Sequence, residues 1–409
     1  MSKSTPFYSV QFQKNGQSLN NFITSFTFED SVSESDVLKI QLDGVENDLI
    51  DNPLLQEGSI LQFNFGYIGG SRSGFRLARI TDIDYNYQKT KSITIKAFDV
   101  GFILKKGTKT FTWKDVSIKG ICEAIAKKNN LTLKITDLEG VENRIENNVQ
   151  VAESDWDFLT ETIQREGTGN LLIYCHDDQL IVKPRSTNKN SKITYDYNQG
   201  NNQDIISFKP KERDTRKDTA SNKTEIKDAV DGENAVRTES STLKTSNETK
   251  LGSNSVYYDA NGNSSTKDDS STQNKTEVKT EINHPVASQQ EAVAKVTKIQ
   301  SDASMKDITA TLSVLGDPNL FSDDIITMSG VAAKHKGNYY IEKATHKISS
   351  SGYILTCDLN KNARDVAKIK GEEKLNKVNN TSGPSESKSQ KEIKFVDYDG
   401  GSGKKIRER

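Results

Sequence analysis

From Phe7 to about Leu104 apolar residues recur at every second position, in short runs separated by turn residues. Phe7–Phe12 is followed by Asn15-Gly16, and then by Phe22–Phe28. Val37–Leu42 and Ile60–Phe65 alternate at period two, as half-buried strands do. Gly66, Gly69 and Gly70 mark a turn, and Phe75–Tyr87 and Ile93–Phe98 complete the set. Several short strands with regular turns predict a small antiparallel barrel or sandwich over residues 1–110.

The period then changes. Ser117 is placed to cap a helix in which Ile118, Ile121, Cys122 and Ile125 share a face, and Leu131, Leu133 and Ile135 alternate after it. Ser154 can accept from the amides of a second helix, with Asp155 and Asp157 in its first turn, where the positive end of the dipole favours carboxylates. Trp156, Leu159 and Ile163 fall on one face of that helix, and Gly167 ends it. Leu171–Cys175, a turn at His176-Asp177-Asp178 and Gln179–Pro184 predict a hairpin. Residues 111–188 therefore read as an α/β segment. A strand pair is expected next, at Ile193–Tyr195 and Ile205–Phe208.

Residues 211–283 break the pattern. They are mostly Ser, Thr, Lys, Asn, Asp and Glu, with Tyr257 and Tyr258 the only aromatics. Such a stretch buries too little apolar surface to offset its chain entropy, so it reads as a flexible or loosely β insertion within one domain. Asn222, Asn247 and Asn274 open glycosylation-type triplets that chance explains in so Asn- and Thr-rich a stretch. Order is expected again from Pro285. Ser288 and Glu291 form a capping box, and Ala292, Val293, Val296 and Ile299 give a helix an apolar stripe. Ile308, Ala310, Leu312 and Val314 alternate. Ile325–Met328 follows a turn at Gly316–Phe321, and Tyr339–Ile348 with Gly352–Leu359 predicts a final hairpin. Residues 189–210 and 284–362 thus form a second β-domain, and 363–409 a polar tail. Within the tail, Ile393–Tyr398 is an apolar island of the kind that docks on a partner as an added strand. The fold class expected is α+β, mostly β: two small antiparallel barrel-like domains with an α/β insert between them.

The chain has 409 residues, 33% of them hydrophobic, and a formal net charge of −1. A mean hydropathy of −0.70 is low for a wholly globular chain and agrees with the polar insertion and tail. A sequence-independent nucleic-acid binder would show a basic excess. Cys122, Cys175 and Cys357 are odd in number, widely spaced and set in apolar runs, which predicts buried thiols rather than disulfides or a metal site. No apolar stretch approaches a membrane span, and the first residues lack the apolar region of a signal peptide. Assembly in the cytoplasm is expected.

Candidate chemistry is sparse. Asp155, Asp157, Glu161 and Glu166 could pair as acid and base, but helix capping and a solvated face account for the first three. His176, His284, His335 and His346 lack metal-ligand spacing. No nucleophile elbow, zinc-protease pair or phosphate-cradling glycine loop occurs. Trp156 lies on an apolar stripe, whereas Trp113, between Thr112 and Lys114, is open to either core packing or stacking on sugar or base. No enzyme activity and no cofactor are expected.

Two segments carry a family resemblance. Ser154-Asp155-Trp156-Asp157-Phe158-Leu159, running to Glu166-Gly167 and a hairpin, resembles phage late control D proteins and the hub part of VgrG-like spike proteins. So does Gly316-Asp317-Pro318-Asn319-Leu320, followed by Gly337, Tyr339, His346, Gly352 and Tyr353. Lys96-Ala97-Phe98-Asp99 resembles the end of that family's first barrel, although Leu77-Ala78-Arg79-Ile80 stands where the family often has a glycine. The resemblance covers about 7–209 and 285–362. It implies the baseplate hub of a contractile tail, from a phage, a tailocin or an extracellular injection system. In such a hub two barrels per subunit and three subunits make a pseudo-sixfold ring between the hexameric tail tube and a trimeric spike. Implied partners are two further copies, the tube or its initiator, and a separate spike protein with an OB-fold, since the sequence stops at Arg409 without one. The tape measure protein and the baseplate wedge are further implied neighbours. Phe395, Val396 and Tyr398 are the expected spike contact. A host-surface glycan binder is the alternative, and a tail-associated lytic enzyme a weaker one.

Overall fold

The computed structural model describes residues 5–136, 138, 141–143, 145–166, 171–185, 187, 189–198, 204–212, 305–306 and 308–362, with four short strands between 223 and 266. The expected helix at 288–299 and the tail from 363 lie outside the described residues, as do Gly167, Phe395, Val396 and Tyr398. Met1–Val366 forms one compact unit, which is described here.

The first half of the unit contains β1 (Pro6–Phe12), β2 (Ile23–Ser31), β3 (Val37–Asp43), a single helical turn α1 (Asn47–Ile50), β4 (Ile60–Tyr67), β5 (Arg76–Tyr87) and β6 (Lys91–Phe98). The period-two pattern sets the inner face. Leu38, Ile40 and Leu42 on β3 and Leu61, Phe63 and Phe65 on β4 are all buried. Each such side chain contributes roughly 1.5–3 kcal/mol by leaving water. The order is β1-β4-β5-β6-β3-β2. The register of β5 against β6 shifts between Ile80 and Asp82, just beyond the Leu77–Ile80 stretch that departs from the family pattern.

A 3-10 turn at Val100–Lys105 leads into the α/β module: β7 (Lys109–Ser117), α2 (Ile118–Lys128), β8 (Thr132–Ile135), β9 (Ile145–Glu153), α3 (Asp155–Glu166), β10 (Leu171–His176) and β11 (Gln179–Pro184). Both predicted caps are made. Ser117 Oγ accepts from the Gly120 amide at 3.1 Å and Ser154 Oγ from the Asp157 amide at 3.0 Å. The module has its own core, in which Ile121, Cys122, Phe158, Leu159, Cys175 and Leu180 meet. Its β7–β9 ribbon was not legible in the sequence, because its pattern is inverted. Asn148 and Gln150 point inward and are buried, while Ile145, Val149 and Val151 are 68%, 54% and 59% exposed.

The second half contains β12 (Ile193–Asp196), β13 (Ile205–Glu212), β18 (Ile308–Leu315), β19 (Ile325–Ser329), β20 (Gly337–Ser349) and β21 (Gly352–Lys361). Between β13 and β18 the polar insertion carries two ribbons, β14 (Lys223–Lys227) with β15 (Ala235–Glu239) and β16 (Val256–Tyr258) with β17 (Ser264–Thr266). The expected pairing of 193–195 with 205–208 does not occur. β12 runs parallel to β19, and β13 runs antiparallel to β18, where Phe208 meets the Tyr339 ring edge-on. Both are strands, but each completes a distant partner instead of its chain neighbour.

The two halves are one sheet. Its path runs β1-β4-β5-β6-β3-β2-β20-β21-β18-β13, with β19 and β12 branching from β20. With three short helices beside twenty-one strands among the described residues, the fold is α+β and mostly β.

Candidate functional site: the seam between the two halves of the sheet

β20 serves both halves along one edge. Its first residues, Gly337–Tyr340, pair with β19, and Lys343–Ser349 pair with β2. The changeover falls at Glu342, where the register against β21 also shifts between Ile341 and Lys343. An extra residue at that point twists the strand. The Glu342 carbonyl then accepts from the Val32 amide at 3.2 Å, and the Lys343 ammonium pairs with Glu29 across the seam.

Four of the family-motif residues meet at this seam. His346 is fully buried opposite Phe28, in contact with the rings of Phe65 and Phe321. Its Nδ1 lies 2.8 Å from the Tyr353 hydroxyl. Burial, and secondarily the charge of Arg76, hold the imidazole neutral with a pKa lowered to about 3. Gly316 lies flat against the Tyr353 ring, where a Cβ would stand 2.1 Å from a ring carbon. The Tyr67 hydroxyl donates to the Gly316 carbonyl at 2.9 Å. Leu320 and Pro318 are buried in the same turn. Gly337 and Gly352 take positive φ of 113° and 112° at the strand ends, a conformation that favours glycine. The Tyr339 hydroxyl donates to the His335 carbonyl at 2.8 Å.

The motif residues of α3 are not brought here. Phe158 and Leu159 lie in the core of the α/β module, and Trp156 packs half-buried against that core with the Lys105 ammonium 4.8 Å from its ring. Asp155 pairs with Lys109 at 2.6 Å. Burial would raise its pKa, but the Lys109 and Gln150 hydrogen bonds and nearby charges outweigh that and lower it. Glu166 closes α3. Trp113 packs on the module core, its ring nearly parallel to that of Phe158.

Sequence reasoning missed the charged cluster beside the seam. Arg76, on β5, reaches Asp30 and Asp36 at 3.5 Å each and His176 Nδ1 at 3.4 Å, and its guanidinium lies 4.3 Å from the centre of the Phe321 ring. Asp30 also accepts from the Ser322 amide. One side chain thereby touches both halves of the sheet and the α/β module. Burial, then the Asp30 charge, push the Asp36 carboxyl well above its usual range. Burial raises Asp99 to about 6 although it accepts from the Asp36 amide at 2.9 Å. The His176 pKa is lowered by burial and by Arg76.

Asp323 is a second centre. It takes the Lys183 ammonium at 2.6 Å, Lys189 at 2.5 Å and the Tyr340 hydroxyl at 2.9 Å. Burial would lower Lys183, but its bond to Asp323 prevails and raises it. A cavity of about 360 Å³ separates the two centres, lined by Asp30, Arg76, Tyr174, Lys183, Lys189 and Asp324 among others. No signal in the sequence marks these charges, because their partners lie up to 292 residues apart.

Among the described residues no group of three or more His, Cys, Asp or Glu is placed to hold a metal ion, and no helix is long and apolar enough to cross a membrane.

The fold is similar to that of the 43 kDa tail protein of prophage MuSo2 from Shewanella oneidensis. The TM-score is 0.58 at 12% identity, over 89% of this chain and 100% of that one. It is similar to the tail protein from Neisseria meningitidis MC58, with a TM-score of 0.57 at 11% identity, over 87% and 97% of the two chains. A chain of the half-lidded Francisella PdpA-VgrG complex gives 0.54 at 11% identity, over 90% of this chain and 60% of that one. At these identities the likeness is one of fold. No curated protein matches the sequence. Residues 46–350, well over half of the chain, match the family model described as the Alg8 N-terminal domain. The chain belongs to the Alg8 N-terminal domain family.

Proposed function

We propose that the chain is a structural protein of a contractile tail, and specifically its baseplate hub. The observation that carries this reading is β20. One strand closes β19 at its start and adopts β2 at its end, so two groups of strands are held side by side in one subunit. Such a subunit presents two β-surfaces for every copy. Three copies in a closed ring then offer six, which is what joining a hexameric tube to a trimeric spike requires. The fold likeness to two tail proteins, one of them from a prophage, over nearly their whole length supports the tail setting. The similar chain from the PdpA-VgrG complex supports a place near a spike. The finer assignment to the late control D type rests on the motif residues, four of which meet at the seam.

The role is structural and not catalytic. In this reading the hub forms a homotrimer, contacts the tube or its initiator on one side and a separate OB-fold spike protein on the other, and is built into the particle after cytoplasmic assembly. Phe395, Val396 and Tyr398 of the tail provide the spike contact. Native mass spectrometry of the chain purified with its tube and spike neighbours tests the reading. Three copies per spike trimer are expected, and a one-copy complex would overturn it. Removing residues 380–409 is expected to abolish spike co-purification; unchanged recovery would remove the tail contact.

A further inference from the structure

We propose that Asp323 is an ionic latch that docks the α/β module on the second half of the sheet, and that opening it frees the module to swing as a folded unit. This goes beyond the hub reading and does not depend on it. The module folds around its own core, to which no residue of either half of the sheet contributes. Its connection to the second half has a polar centre. Lys183, from the end of β11, and Lys189, after the module, both converge on the Asp323 carboxylate, which also holds the Tyr340 hydroxyl. The apolar part of that contact brings Leu172 and Tyr174 against Val32, Met305, Ile325 and Tyr340. Polar interfaces of this kind between folded units permit relative motion unless they are pinned.

Three further observations fit a latch. The cavity of about 360 Å³ lies directly beside Asp323 and leaves the module room to move. Its charges are paired with one another, namely Arg76 with Asp30 and Asp36, Lys183 and Lys189 with Asp323, and Lys192 with Asp324. Each of these side chains already has a partner of opposite charge, so the space reads as a joint. Asp323 itself holds a left-handed backbone, φ 65°, fixed by its amide donating to the Ile341 carbonyl at 2.9 Å. A non-glycine residue stays in that region only where its surroundings over-determine it. On the entry side of the module Gly107 has φ 73° with nothing within 4 Å of where a Cβ would stand, a position suited to a pivot.

The test uses the full chain and hydrogen exchange. The Leu77 amide donates to Asp177 Oδ1 at 3.1 Å, so it reports docking of the module on the first half, whereas the β10–β11 amides report the module's own fold. In Asp323→Asn, exchange at Leu77 is expected to rise about tenfold while β10–β11 protection stays at the wild-type level, the pattern of sub-global opening. Lys183→Gln, made from the module side, is expected to do the same and keeps the test open if the Asp323 turn does not fold. Tryptophan fluorescence is an independent readout, since the chain's two tryptophans, Trp113 and Trp156, both lie in the module. On heating, the fluorescence transition is expected to coincide with the loss of β circular dichroism in the wild type and to separate from it in either variant. Unchanged exchange at Leu77, or exchange that rises equally through β10–β11, would overturn the proposal.

Discussion

The Tyr353 hydroxyl lies 2.8 Å from His346 Nδ1, and both groups are buried. The tyrosine belongs to β21 and the histidine to β20, yet both side chains pack among residues of the first half of the sheet, including Phe65. This pair is therefore a test of the seam. Tyr353→Phe keeps the ring and strands a buried imidazole nitrogen, which costs about 1–3 kcal/mol. Urea unfolding of the variant is expected to show that loss, and a change under about 0.5 kcal/mol would contradict it.

Two buried groups act against each other on stability as pH changes. His346 has a folded pKa of about 3 against an ordinary 6.5, so the unfolded chain binds its proton first, and stability from this residue is lost as pH falls below 6.5. Asp99 is raised to about 6 from 3.8, so its folded form holds the proton longer, and stability is lost as pH rises through 6. Asp36 is shifted in the same direction as Asp99. The His346 slope reaches about 1.4 kcal/mol per pH unit. Between roughly pH 4 and 6, His346→Asn should lose stability with rising pH relative to wild type, and Asp99→Asn should gain it. Denaturation curves at three pH values settle the signs. Parallel profiles would sink this account.

Close approach, not turn geometry, fixes Gly316. A Cβ there would stand 2.1 Å from the Tyr353 ring, and that ring is hemmed in by Tyr67 and His346. Gly316→Ala is expected to cost about 1–3 kcal/mol through overpacking. Gly74→Ala, with nothing within 4 Å, should stay within about 0.5 kcal/mol. Thermal melts of the two variants side by side give the comparison.

Arg76→Met leaves Asp30 and Asp36 without their cation while keeping most of the side chain's length. Breaking a buried pair from one side costs about 3–5 kcal/mol, moderated here because both contacts are long, at 3.5 Å. The expected result is a loss of at least about 2 kcal/mol in urea unfolding. Adding Asp30→Asn should restore part of it, since the two changes share one network.

What the sequence shows and hides follows from the range of each interaction. Period-two strands such as β3, β4 and β18 declare themselves, because one face is apolar and the other is not. The Ser117 and Ser154 caps are legible because their partners lie three residues away. The final hairpin is legible for the same local reason, with Gly352 at its turn. The β7–β9 ribbon is hidden by its inverted pattern, with Gln150 inside and Val149 outside. The pairings of β12 and β13 are hidden because their partners, β19 and β18, lie on the far side of the polar insertion. The cluster at the seam is hidden most fully. Nothing around Arg76 or Asp323 marks the one as half-buried or the other as buried, and only the meeting of both halves of the sheet with the module brings their partners within reach. The motif residues divide accordingly. Gly316, Leu320, His346 and Tyr353 meet at the seam, while Phe158 and Leu159 serve the core of the module.

The measurement that bears most directly on the hub reading is particle symmetry. Electron microscopy of the chain, purified with its tube and spike neighbours, is expected to show a threefold ring with a central channel and six similar lobes, two from each subunit. A subunit that stays monomeric beside those neighbours would contradict the reading.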